Sequence, residues 1–209
     1  MGIFNLISLG GAVAWCIVAS GVAALYVFIE RSLSLHRARI RYSDFLSGMF
    51  NVLGKGNIKE ALALCDETPG PVAYLVKVAI LYRDAEKEDL YRTLRDAAAA
   101  EISRMERRLV VITTVAQVAP LLGLFGTILG ILQGAITLQS QGPLVQSANL
   151  LDGLLISLAT TAIGLGVAIP CYAAFNLLVI KIDRIVLDME RTRYEIVSFL
   201  KGVRRQEES

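Results

Sequence analysis

Residues 109–180 read LVVITTVAQVAPLLGLFGTILGILQGAITLQSQGPLVQSANLLDGLLISLATTAIGLGVAIPCYAAFNLLVI, with Asp152 as the one charged side chain. The polar sequence Gln139-Ser140-Gln141-Gly142-Pro143 divides this stretch into two apolar arms. Each arm is long enough to cross a hydrocarbon core of ~30 Å at ~1.5 Å per residue. In lipid a lone segment has to satisfy its own backbone polar groups, so the arms read as helices. The fold class that follows is an all-α membrane protein.

Each arm carries a thin stripe of small and hydroxyl residues. On the first it runs Gly123, Thr127, Gly130, Gly134; on the second, Ser157, Thr161, Gly164, Ala168. Steps of four, three and four keep each stripe on one helical face.

Charge organises the rest of the chain. The 209 residues are 55% hydrophobic, too apolar for an ordinary soluble domain. Residues 1–29 carry no charged side chain, and all 21 Lys and Arg fall between Arg31 and Arg108 or between Lys181 and Arg205. Lys and Arg accumulate on the cytoplasmic side, so both basic blocks belong there, with the N-terminus and the Gln139–Asn149 loop opposite. The expected division is a first transmembrane helix in 1–30, a cytoplasmic helical domain in 31–108 and a second transmembrane helix in 109–138. A loop on the far side in 139–149, a third transmembrane helix in 150–180 and a cytoplasmic helical extension in 181–209 complete it. The apolar run at residues 3–29 lacks a basic leading region and is nearer a full span than a signal peptide's core, so it reads as a retained helix.

Within the first basic block, Phe45, Met49, Val52 and Leu53 recur at helical spacing until Gly54-Lys55-Gly56-Asn57. A short helix is expected over 58–65, a turn at Thr68-Pro69-Gly70-Pro71 and another helix over 72–83. From Lys87 no Pro occurs before Pro120 and no Gly before Gly123, which predicts one helix from Lys87 to Leu138, extending the second span into the cytoplasm. The third span is expected to continue likewise until Gly202. Together these extensions would form a cytoplasmic helical bundle.

Catalytic chemistry finds little purchase. His36 is the single His, without Cys or acid at ligand spacing, and Cys16, Cys65 and Cys171 are scattered, reading as packing thiols. There is no phosphate-cradling loop, and Gly54-Lys55-Gly56 follows no strand, so it reads as a turn. No enzyme activity, metal or cofactor is expected. Nor does a basic stripe interleaved with aromatics mark a nucleic-acid surface; the charged runs read as solvated helix faces.

The stripes admit two readings. Gly126-x-x-x-Gly130-x-x-x-Gly134 is a small-residue face of the kind that lets helices approach closely. Against this, Thr127 lies 10 residues before Thr137 and Thr161 11 residues after Leu150, which puts both hydroxyls at one depth near mid-membrane. With Thr160 and Ser157 they would make a shared polar lining. Hydroxyls relay protons or position water but hold no charge at neutral pH. Asp152 lies near the outer interface, so a titrating carboxylate would have to come from elsewhere.

Two motifs then carry a resemblance. The segment 119–131 (APLLGLFGTILGI), and the segment 158–170 (LATTAIGLGVAIP) followed by Tyr172 and Asn176, resemble the second and third spans of the TolQ/ExbB/MotA group of inner-membrane ion-channel subunits, closest to its ExbB/TolQ branch. The resemblance covers nearly the whole chain. It implies a homopentamer enclosing the single-span helices of an ExbD/TolR-like partner dimer that supplies a membrane Asp. It also implies work delivered to a TonB/TolA-like periplasm-spanning protein. The location it implies is the bacterial inner membrane, with the N-terminus periplasmic and the C-terminus cytoplasmic. By motif, Thr127 and Thr161 match the family's pore hydroxyls, and Pro120, Gly123, Gly126, Gly130, Gly164 and Pro170 its structural positions. One position departs: where the family commonly has a Glu five residues before the third-span threonine, this chain has Ile156, and Asp152 lies one turn earlier. The alternative to a proton-driven motor subunit is therefore a non-conducting membrane scaffold of an envelope complex.

Overall fold

The computed structural model describes residues 11–38, 42–141 and 147–207. Expectations for residues 3–10, for the loop at 142–146 and for the side chains of His36 and Asp152 fall outside what is described. Among the described residues seven helices follow in order: α1 (Gly11–Ala38), α2 (Tyr42–Gly54), α3 (Ile58–Glu67), α4 (Pro71–Leu81), α5 (Lys87–Glu106), α6 (Leu109–Gln141) and α7 (Ser147–Glu207). Among the described residues every element is helical and no strand occurs, as the apolar runs and helical spacings predict. Stretches of α1, α6 and α7 are long and apolar enough to cross a membrane: Gly11–Leu35, Leu109–Ile136 and Gly153–Gly202.

The chain forms two compact units. The first comprises Met1–Ile29 and Leu109–Leu177. Its core is Ile17 from α1, Ala119 from α6 and Ala168 from α7, with Val13, Leu122, Ile163 and Val167 packed around them. Small residues at the centre let the backbones approach closely, since between apolar helices packing replaces the hydrophobic effect as the source of cohesion. Outward, Leu121, Leu124, Phe125, Ile128, Ile131 and Leu132 are exposed along α6, as are Leu158, Leu165 and Ile169 along α7. Such a surface suits lipid or a protein neighbour.

The second unit comprises Glu30–Arg108 and Leu178–Ser209. Here polar signals set the helix ends. Asn57 caps α3, its side-chain oxygen accepting from the Glu60 amide while its Nδ2 donates to Glu60 Oε2 at 2.6 Å. Pro71 opens α4, where its missing N–H costs nothing. The buried side of the unit includes Met49, Leu75, Val76, Ile80, Leu90, Leu94, Met189 and Ile196. Phe50 and Phe199 stack at 4.7 Å, and Lys201 donates to the Ala85 carbonyl at 2.7 Å.

Two expectations for the local structure differ: α7 continues through Gly202 to Glu207, where a stop at Gly202 is expected, and the second concerns α5 and α6. The single helix predicted from Lys87 to Leu138 is divided into α5 and α6, with Arg107–Arg108 as a turn between them. Arg107 itself keeps right-handed helical dihedrals, and its amide still bonds to Ser103. Beside the break Arg31 Nη2, on α1, donates to the Arg104 carbonyl at 2.9 Å. In an unbroken helix that oxygen is the acceptor for the amide of Arg108, four residues on.

Candidate functional site: the seam between α6 and α7

The two small-residue faces meet inside the first unit. A Cβ on Gly123 would lie 3.1 Å from the Thr160 carbonyl oxygen and 3.2 Å from Thr161 Cα, and one on Gly126 would lie 2.7 Å from Thr160 Oγ1. One on Gly130 would come within 3.0 Å of Ser157 Cβ. From the other side, a Cβ on Gly164 would stand 2.7 Å from the Ala119 carbonyl oxygen, and one on Gly153 would meet Gly130 and Gly134 at 3.4–3.5 Å. Glycine at these positions is what allows the two backbones to come together. The face of α6 in contact is thus Ala119, Gly123, Gly126, Gly130, which also advances in steps of four, three and four. Thr127 stands beside it.

The hydroxyls divide into two kinds. Ser157 and Thr160 are shut into the seam, 2% and 1% exposed. Each satisfies its own helix: Ser157 Oγ donates to the Leu154 carbonyl at 2.7 Å and Thr160 Oγ1 to the Ser157 carbonyl at 2.9 Å. Thr127 and Thr161 are half-buried. Thr127 donates to the Leu124 carbonyl at 2.5 Å, whereas Thr161 reaches across the seam to the Gly123 carbonyl at 3.4 Å. Bonding one turn back is how hydroxyls are accommodated within membrane helices. A Cβ on Gly134 would meet nothing within 4 Å, so there α7 meets the backbone of Gly134 and not its side-chain direction. Pro120 lies within α6 and Pro170 within α7. Asp152 is on the first turns of α7.

Spacing alone did not identify Gly153 or Ala119 as part of the seam. Both are small residues in register with the stripes, and only the pairing of the two helices distinguishes them. Among the described side chains of this unit none is charged, and among the described residues no group of three His, Cys, Asp or Glu is placed to hold a metal ion. The seam can pack helices and offer neutral hydroxyls; by itself it offers no group that changes charge near neutral pH.

Apolar helices long enough to span a bilayer, packed through glycine and hydroxyl faces, define a polytopic helical membrane protein. The sequence pattern of the MotA/TolQ/ExbB proton channel family matches residues 69–191, more than half of the chain and both faces of the seam. The chain belongs to that family, in its ExbB/TolQ branch. It is 29% identical over 198 residues to the biopolymer transport protein exbB1 of Vibrio cholerae, covering 88% of this chain and 86% of that protein. It is 26% identical over 175 residues to a biopolymer transport protein ExbB homolog of Methanothermobacter thermautotrophicus, covering 83% of this chain and 62% of that one. It is 37% identical over 99 residues to the Tol-Pal system protein TolQ of Haemophilus influenzae, covering 46% of this chain and 42% of that protein. The chain thus spans less than two thirds of the length of the last two relatives.

Proposed function

We propose that this chain is an ion-channel and motor subunit of an inner-membrane complex that uses the proton motive force to energise work across the periplasm. The observation that carries the reading is a family match over α6 and over α7 as far as residue 191, in a membrane unit whose described side chains include hydroxyls but no carboxylate, Lys, Arg or His. A proton path built on such a wall needs an acid from another chain. In this reading five copies form the wall and an ExbD/TolR-like single-span dimer supplies a membrane Asp. A TonB/TolA-like protein takes up the work, the N-terminus is periplasmic and the C-terminus cytoplasmic. Thr127 and Thr161, half-buried beside the packed faces, are the hydroxyls proposed to line the path. Ser157 and Thr160, enclosed in the seam, support the wall from behind, and Asp152 serves its outer mouth.

The test is proton flux in vesicles reconstituted with and without the partner, for Thr127→Val and Thr161→Val. Each substitution keeps the branched shape and removes the hydroxyl. Partner-dependent flux that falls in either variant while assembly persists supports the path. Full flux in both assigns these positions to packing alone.

A second reading has one observation in its favour. Ile156, half-buried on α7, occupies a position where the resembling family commonly has a Glu. An aliphatic side chain neither binds nor passes a proton, so the chain would then anchor an envelope complex without conducting. Absence of partner-dependent flux in the unmodified protein is the outcome this reading expects.

A further inference from the structure

The apolar runs of α1 and α7 end at Ile29 and Ile180, and the polar side chains that follow are brought together. Lys181 Nζ donates to Ser32 Oγ at 3.0 Å, and Arg31 donates to the Arg104 carbonyl at 2.9 Å. Three helices thereby gather Arg31, Ser32, Arg104 and Lys181 at one level of the second unit. Two carboxylates near them are already engaged: Glu30 pairs with Arg108, and Glu101 with Arg104 at 3.5 Å.

Neither Arg31 nor Lys181 has an ion-pair partner among the described residues. Lys181 is exposed and donates to a neutral hydroxyl, so two ammonium protons remain for an anion to take in place of water. Arg31 is half-buried, with its Nε buried and without an acceptor. Arg31, a partly desolvated cation without counter-charge, is costly to keep unless an anion joins it, and Lys181 is exposed, its charge open to the same anion. Ser32, while accepting from Lys181, still has its own proton to donate. Beside this cluster Leu33 and Ile180 are 55% and 51% exposed, apolar neighbours for an acyl chain directly adjoining the cations.

We propose that Arg31, Ser32 and Lys181, with Arg104 at their edge, hold the phosphate of an anionic phospholipid in the leaflet on this side of the membrane. The level decides for a lipid, because the cluster begins within two residues of each apolar run, at the depth of the headgroups. The charge decides for an anionic one, because a zwitterionic headgroup brings a cation of its own to a site that already has two unpaired.

The test uses the full chain in detergent micelles doped with equal amounts of dioleoylphosphatidylglycerol and dioleoylphosphatidylcholine, with retained lipid counted by native mass spectrometry. Phosphatidylglycerol should be retained preferentially, and Lys181→Gln should lower its retention by about fivefold, the effect of one basic residue at a charged membrane surface. Lys181→Arg should keep it. Glutamine can still donate to Ser32, and the Glu30–Arg108 pair is untouched. Should Lys181→Gln lose its helical circular dichroism, Ser32→Ala removes a phosphate donor while keeping both cations and should still lower retention. Equal retention of the two lipids, or retention unaltered in the folded variants, overturns the proposal. So does displacement of the lipid by inorganic phosphate but not by chloride at matched ionic strength, which assigns the cluster to free phosphate.

Discussion

Gly164 lies directly against the backbone of Ala119: a Cβ added to it would be 2.7 Å from that residue's carbonyl oxygen, with Gly123 Cα at 3.1 Å. Both obstacles are backbone, which no rotamer change can move aside. Gly164→Ala therefore forces α6 and α7 apart, and overpacking of this kind costs about 1–3 kcal/mol. Gly166, two residues along the same helix, has nothing within 4 Å, so Gly166→Ala should be neutral or gain up to about 1 kcal/mol from helix propensity. Thermal unfolding of both variants in one detergent isolates the packing effect, since propensity is common to them. Equal midpoints would show that the seam is not closed at Gly164.

Gly126 faces a side chain instead. Its added Cβ would meet Thr160 Oγ1 at 2.7 Å and Cβ at 2.8 Å. Gly126→Ala should thus destabilise, and Thr160→Ala, by clearing the hydroxyl and methyl, should recover part of the loss. In a double-mutant cycle the two changes should be less damaging together than their sum, with a coupling of about 0.5–3 kcal/mol. Strict additivity, measured by the same unfolding assay, would place the two residues out of contact.

Several of these relationships were legible in the chain and others were not, for physical reasons. Helix content and the spans follow from uninterrupted apolar runs, and α3 and α4 begin within a residue of where the breaks at 54–57 and 68–71 put them, although Pro71 opens α4 rather than closing the turn before it. The small-residue stripes follow from spacing. What spacing leaves open is which of two overlapping faces meets the neighbour. Gly123 and Gly130 belong both to the face that includes Thr127 and to the face that includes Ala119 and Gly126. Only the pairing of α6 with α7 selects the second. The break at Arg107–Arg108 was hidden more deeply, because both arginines are good helix formers. The group that takes up the Arg104 carbonyl is Arg31, 73 residues earlier in the chain.

Thr127→Val and Thr161→Val should leave stability within about 1 kcal/mol of the unmodified protein, because the hydroxyls they remove are donors to carbonyls one turn back or across the seam. The Leu124 and Gly123 carbonyls each retain the helical amide four residues on, so neither is left without a donor. Unfolding midpoints measured alongside the flux assay check this. A loss of flux at unchanged midpoint belongs to the missing hydroxyl, whereas a fall in midpoint for Thr161→Val would mean that its 3.4 Å contact with Gly123 holds the seam together.

Cys65, buried on α3 outside the spanning segments, provides a pH-dependent signal for the second unit. Burial, reinforced by the negative charge of Asp66 and partly opposed by Lys77, pushes its thiol from 9.0 up to about 11. The folded state therefore holds the thiol proton over a range in which the unfolded chain has released it. The stabilisation is fully present below about 9 and is lost as pH rises towards about 11. In a variant with Cys16→Ser and Cys171→Ala, iodoacetamide should label native Cys65 slowly at pH 8–9 and faster only as pH nears about 11. The unfolded chain should accelerate near 9.0, since the thiolate is the reacting species. Lys77→Met removes the one influence that lowers the thiol, so its labelling curve should move further to alkaline pH. A native curve coinciding with the unfolded one would mean that Cys65 is open to water and that the packing of α3 is looser than its burial indicates.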